Sequence, residues 1–437
     1  MKTHRTFHLS KQSASALRAA ILLLMLATGG LLITSCTSDP SAVSVQSQPE
    51  ARGLLADAPA YALHGPYWIG YTQMTLDAGD RDVDIDAWYP ALNAADAAED
   101  IVYDLNLQQM LLSFSDWPAD METVVRGHAL RDADADASGA PYPLVIFSHG
   151  FGLNPVWYNT LLEHYASQGF VVLAPQHIDP DWSEAWQAAI DRPGDIERVL
   201  DYAEQLAAAN GAMAGLIDLE HIAVVGHSFG GYTALALGGA RYDLEAFERH
   251  YAELSEADDP NAWILAPFAG READLAARAG LGSVPEGLWP SFGDSRVDAI
   301  VPIAADAFLF EEAGLAEITI PVMSMGGTAD TGAPYELGTK LAYDYASSRS
   351  KALVGFVGAE HMFMSTTCES LPWIEETTLS EMFCFDPVWE KARALDLVHH
   401  LSTAFLLDAL EEDEDALDSL QGSAVTFEGI IYETTLD

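Results

Sequence analysis

The sequence predicts an α/β fold: a mostly parallel, doubly wound sheet with helices on both faces, an N-terminal antiparallel hairpin and an inserted cap. Three observations point there. Six apolar runs, at 144–148, 170–174, 222–225, 299–304, 318–326 and 352–357, read as buried strands. Helical segments at 156–168, 194–208 and 232–239 fall between them, the alternation of parallel strands joined by crossover helices. The pentapeptide Gly226-His227-Ser228-Phe229-Gly230 stands between one such strand and one such helix, with a serine at the apex of the turn.

In chain order, residues 1–35 read as an export signal. Lys2, Arg5, Lys11 and Arg18 make a positive start, and the apolar stretch 19–33 is too short and glycine-broken to favour a spanning helix. Ile33-Thr34-Ser35-Cys36 resembles a bacterial lipobox, so Cys36 is the expected lipidation site and 36–55, rich in Ser, Pro, Ala and Gln, a flexible tether. The folded body is expected over 56–409. Residues 71–77 and 82–89 alternate apolar and polar around Ala78-Gly79-Asp80-Arg81 and read as a hairpin. Asp132, Asp134, Asp136 and Ser138 alternate as in a calcium loop, but Ala137 and Pro143 stand where the glycine and the bidentate acid belong. That stretch reads as a solvated linker, and no metal site is expected.

Glycines on either side of Ser228 permit a sharp turn that a Cβ would block, and the following helix puts its positive end at the serine. A G-x-S-x-G turn in this setting is the nucleophile elbow of the α/β-hydrolase fold, which requires an acid and then a histidine further along the chain. Asp330 lies in the loop after the strand 318–326, and His361 follows the strand 352–357. Functional groups of open parallel sheets gather past the carboxyl ends of strands, so these three can converge. Asp306, after the strand 299–304, is a rival acid. His399 and His400 fall in a helix with apolar spacing through Leu395, Val398, Leu401 and Phe405 and read as packing residues. An oxyanion hole is assigned to two backbone N–H groups. One is that of Phe151, in His149-Gly150-Phe151-Gly152 after the strand 144–148; the other is that of Phe229.

Residues from about 241 to 296 hold Trp263, Phe268, Leu281, Leu288, Trp289 and Phe292 among many acids. A lid or cap over the pocket accounts for that mixture, and so does a surface elaboration. With Cys36 lipidated, the two remaining cysteines of an exported chain, Cys368 and Cys384, are expected to form a disulfide. Residues 410–437, opening with Glu411-Glu412-Asp413-Glu414-Asp415, read as an acidic, solvated tail in which 424–432 could add a strand.

The motifs taken together resemble a known family. Gly65-Pro66-Tyr67-Trp68-Ile69-Gly70, Trp88-Tyr89-Pro90, Ser148-His149-Gly150-Phe151-Gly152, the run from Gly169 to His177 and Gly226-His227-Ser228-Phe229-Gly230-Gly231 are similar to plasma-type platelet-activating-factor acetylhydrolases and their bacterial dienelactone-hydrolase-like relatives. The resemblance covers about 65–407. It implies a calcium-independent serine esterase that releases short or oxidised acyl chains from phospholipids or similar esters. The insertion at 241–296 departs from the family pattern, so the acyl preference does not transfer with the fold. Ser228 in place of cysteine or aspartate argues against dienelactone hydrolase, dehalogenase and epoxide hydrolase chemistry.

The expected protein is therefore a carboxylic-ester hydrolase, monomeric, without cofactor, exported and lipid-anchored in a bacterial envelope, on the outer membrane where one exists. The alternatives are a non-catalytic binding lipoprotein on the same fold and an acyltransferase using the same residues. Sixty-six acids against 20 bases, a formal charge of -46, exclude a nucleic-acid partner, whose phosphates the surface would repel. The same excess fits a saline habitat, where screening relieves self-repulsion. Melting temperature should then rise as NaCl is added from low millimolar to molar concentration. A melting curve indifferent to salt would contradict the saline reading.

Overall fold

The computed structural model describes residues 48–77, 79, 81–105 and 123–436. The export signal, Cys36 and most of the tether lie outside the described residues. The tether's last residues are docked: the N–H groups of Leu54 and Leu55 bond the two carboxylate oxygens of Asp396 at 2.9 and 3.0 Å.

Alternating residues build β1 (Trp68–Asp77) and β2 (Asp82–Ala91), antiparallel from the pair Trp68 and Ala91 to the pair Asp77 and Asp82. Gly79 in the connecting turn has φ +88°, a value that favours glycine. β3 (Ile101–Asp104) and β4 (Val124–Gly127) form a small separate sheet, and β5 (Leu130–Arg131) runs parallel to β1 at the edge. The stretch expected as a solvated linker is folded onto this hairpin, because Asp132 and Asp136 donate their N–H groups to the carbonyls of Tyr71 and Pro90.

The apolar runs form β6 (Tyr142–Ser148), β7 (Val171–Pro175), β8 (Ile217–His227), β9 (Ala299–Ile303), β10 (Val322–Gly327) and β11 (Lys351–Phe356). These six are parallel; β2 joins β7 antiparallel, and β12 (Ile430–Thr434) joins β11 antiparallel. The order across the sheet is β12-β11-β10-β9-β8-β6-β7-β2-β1-β5, the α/β-hydrolase arrangement. Successive side chains of β6 divide between its faces: Leu144 and Ile146 enter one apolar cluster, Val145 and Phe147 the other. With both faces covered, the strands carry no polar alternation, which is why they read as continuous apolar runs.

The helix expected from 194 begins eight residues earlier and spans Trp186–Ala207, passing through Pro193. Proline normally ends a helix because it strands the carbonyl four residues back. That carbonyl, of Ala189, instead accepts from the hydroxyls of Tyr232 and Tyr242 at 2.7 and 2.8 Å. The solvated tail expected from 410 is corrected, while the strand left open for 424–432 is found at its end. Residues beyond 410 form the helix Glu414–Ser419, N-capped by Asp413, and then the edge strand β12. Its acids face solvent while Leu410, Ala416, Leu420, Val425 and Leu436 join the core, so the acidic composition marks one surface of an ordered segment. Leu420→Ala should cost about 2–4 kcal/mol in urea unfolding, as for other fully buried leucines. A cost near zero would mean that this segment does not hold the fold.

Candidate active site

Ser228 sits between β8 and the helix Phe229–Leu237 with φ 57° and ψ -122°, a left-handed backbone for a residue with a Cβ. Such a conformation costs of order 1–3 kcal/mol and persists only where its surroundings enforce it. They do so here by close approach. A Cβ on Gly226 would collide with the carbonyl of Gly230, and one on Gly230 with that of Ser148. Ser228 N–H bonds the Ile303 carbonyl at 2.9 Å, tying the turn to the end of β9.

The side chains of Ser228, His361 and Asp330 meet at this rim. Nδ1–H of His361 donates to Asp330 Oδ2 at 2.8 Å, leaving Nε2 to accept the Ser228 hydroxyl at 2.9 Å. Asp330 is oriented by its own loop, since its Oδ1 accepts from the N–H groups of Gly332 and Ala333, both at 2.8 Å. A Cβ on Gly332 would press to 2.8 Å from the imidazole, so the loop can close on the ring only with glycine there. Burial lowers the pKa of His361, but the charges of Asp330, Asp306 and Glu360 and the Asp330 hydrogen bond outweigh it, and the net shift is upward.

The rival acid Asp306 is buried next to the pair without bonding the imidazole. Burial pushes its carboxyl up to about 7, with the charge of Asp330 adding and that of His361 opposing. Asp306 therefore acts on His361 through the field alone.

The N–H groups of Phe151 and Phe229 have no hydrogen-bond acceptor among the described residues, as an oxyanion hole requires of its donors. The loop carrying Phe151 is held by groups that spacing did not reveal. Buried Arg192 donates to the carbonyls of His149 and Gly150 at 2.5 and 3.3 Å and pairs with Asp179, whose Oδ2 accepts from Gly152 N–H at 2.8 Å. Beneath the loop lies a second line of the same residue types: Ser148 Oγ is 3.0 Å from His177 Nε2, and His177 Nδ1 is 2.9 Å from Asp195. Those three are at most 1% exposed, whereas Ser228 and His361 are partly open. The buried line braces the loop, and only the open one can meet a substrate.

The insertion packs against the residue after the serine. Phe268 stacks on Phe229 at 6.0 Å, Trp182 contacts Phe151, Phe268 and Trp263, and Trp289 is buried against Tyr242. Of the two expectations for 241–296, a cap over the aromatic wall of the site accounts for these contacts. Cys368 and Cys384 are bridged with Cα atoms 5.1 Å apart, closing a loop near His361 worth about 3 kcal/mol in the chain-entropy picture. His399 and His400 pack on His164 and Tyr61, away from the serine.

Residues 133–249 match the family model described as Chlorophyllase. The chain is 33% identical over 96 residues to Chlorophyllase-1 of Arabidopsis thaliana, covering 22% of this chain and 28% of that one. It is 32% identical over 137 residues to Chlorophyllase type 0 of Chenopodium album, 30% of this chain and 36% of the relative. It is 25% identical over 224 residues to Platelet-activating factor acetylhydrolase of Canis lupus familiaris, 39% of this chain and 50% of the relative. Half or less of each relative is therefore spanned. The family match contains Phe151, Ser228 and Phe229, while Asp330 and His361 lie beyond it.

NMR titration of the His361 imidazole should give a midpoint above 6.5. Asp306→Asn should lower it by removing one negative neighbour, and Asp330→Asn should lower it further by removing the hydrogen bond as well. A midpoint that neither substitution moves would contradict this account of the site.

Proposed function

We propose that this chain is a serine carboxylic-ester hydrolase working through an acyl-enzyme intermediate. The observation that carries the reading is the unbroken line from the strained, partly open Ser228 hydroxyl through His361 to Asp330. His361 takes the proton as Ser228 Oγ bonds to the ester carbonyl carbon, and Asp330 steadies the resulting imidazolium. The tetrahedral oxyanion draws on the N–H groups of Phe151 and Phe229; one such donor is worth about 3–4 kcal/mol of barrier. Collapse expels the alcohol, which takes the proton from His361, and water repeats the sequence to release the acid.

The aromatic wall of Phe151, Phe229, Trp182 and Phe268 favours an apolar acyl or alcohol group beside the serine. The relatives' names point to chlorophyll and to platelet-activating factor. The wider resemblance favours short or oxidised acyl esters, of the platelet-activating-factor-like phospholipid kind. The lipobox-like Ile33-Thr34-Ser35-Cys36 supports lipid anchoring at a cell envelope, where the tether would give the enzyme reach to such substrates.

A fluorophosphonate should label the chain once per molecule, and Ser228→Ala should abolish labelling; an unlabelled native chain would favour the binding lipoprotein. Asp330→Asn should lower kcat on the order of 10⁴-fold, as expected for the residue that sets the histidine tautomer. On p-nitrophenyl esters from acetate to palmitate, alongside a short-chain phosphatidylcholine, activity should peak at short acyl chains. A peak beyond about ten carbons would reject the short-chain reading.

A further inference from the structure

Two buried donors grip consecutive carbonyls of the loop that carries His361. His227 Nε2 lies 3.0 Å from the carbonyl oxygen of His361, and Lys391 Nζ lies 2.9 Å from that of Met362. The tautomer of His227 follows from its other neighbour. Tyr158 Oη accepts the N–H of Gly150 at 3.1 Å and directs its own hydrogen to His227 Nδ1 at 2.9 Å, so Nε2 carries the hydrogen given to His361.

Lys391 is the first residue of the helix Lys391–Glu411 and is 7% exposed. Its other hydrogens go to Ser365 Oγ and the Phe383 carbonyl, both at 2.6 Å. Three oxygens saturate an ammonium, and no carboxylate lies within ion-pair range among the described residues. A lysine buried without a counter-ion is costly, and burial pushes this one down to about 7, with Asp386 opposing. Phe383 directly precedes Cys384, so the third acceptor belongs to the loop that the disulfide closes. An apolar side chain at 391 would fill the volume but leave the Phe383 carbonyl unpaired and remove its direct tie to the Met362 carbonyl, which would keep only the Ser365 N–H and hydroxyl at 3.2 and 3.1 Å.

We infer that Lys391 is a positioning residue for His361, tying the Met362 carbonyl to the disulfide-closed loop, so that the Cys368–Cys384 bridge acts on the site through it. Together with His227 it fixes the backbone from which the imidazole reaches Ser228. This role rests on the esterase reading above, and misplacing a reacting group by about 1 Å can cost on the order of 100-fold in rate.

The test measures p-nitrophenyl acetate hydrolysis by the native chain, Lys391→Met and Lys391→Gln, each before and after dithiothreitol. The reagent opens the bridge to two thiols and itself closes to a cyclic disulfide; thiol counting follows the bridge and circular dichroism the fold. Reduction should lower native kcat roughly tenfold or more with KM within about twofold. Lys391→Met should lose a similar factor while oxidised and little more on reduction, and Lys391→Gln, which keeps N–H donors, should recover part of it. Full kcat in the reduced native chain, or losses that multiply in full, would overturn the inference. If Lys391→Met does not fold, Lys391→Gln carries the comparison: it should lose kcat while oxidised and little more on reduction, and a loss that multiplies in full with that of the reduced native chain would overturn the inference. A folded native chain without ester hydrolysis would overturn the esterase reading itself, which the native control reports separately.

Discussion

The backbone of Ser228, held at φ 57°, is the constraint around which the rest is arranged. A serine in that conformation relaxes unless strand and helix approach too closely to let it, and the approach exists because Gly226 brings no Cβ against the elbow helix and Gly230 none against β6. The energy comes from elsewhere, from the many apolar side chains of the central strands buried at about 1.5–3 kcal/mol each. A large two-faced core thus supports a small strained turn, and the strain keeps the hydroxyl out toward the rim where His361 waits.

Backbone groups do as much at this site as side chains, and each is aimed by a buried polar residue. Arg192 and Asp179 hold the carbonyls and one amide of the loop 149–152, Tyr158 holds Gly150, and His227 holds the carbonyl of His361. Because Tyr158 and His227 are themselves hydrogen-bonded, a single chain of contacts runs from the loop carrying Phe151 through the elbow to the loop carrying His361. Fully paired networks of this kind are rigid, since breaking any member leaves a buried group without a partner.

The cap answers to the same physics. Tyr232, one turn into the elbow helix, and Tyr242, at the start of the insertion, both donate to the Ala189 carbonyl that Pro193 leaves open. The long helix beside the site, the elbow helix and the root of the cap therefore meet at one carbonyl. Phe268 then lays the cap's apolar side on Phe229, so the insertion shapes the space beside the serine.

Much of this was legible in the sequence. The elbow is local: a strand, a glycine-flanked serine and a helix lie within a few residues, and sterics between neighbours dictate the turn. Asp330 and His361 were legible because each follows a buried strand, and parallel strands deliver their ends to one rim. The helix through Pro193 and the packing of residues 410–420 into the core were not legible, and the strand left open for 424–432 could not be decided, because a rescued carbonyl and an edge strand depend on partners far along the chain. Nor were the partners of Arg192, His227 and Lys391, none of which stands in a spacing that announces them. Residue periodicity and turn chemistry are properties of adjacent residues and determined the fold class and the placing of Ser228, Asp330 and His361 at one rim. Which buried donor meets which carbonyl was decided only when distant segments packed, because a hydrogen bond's direction is set by both partners' surroundings.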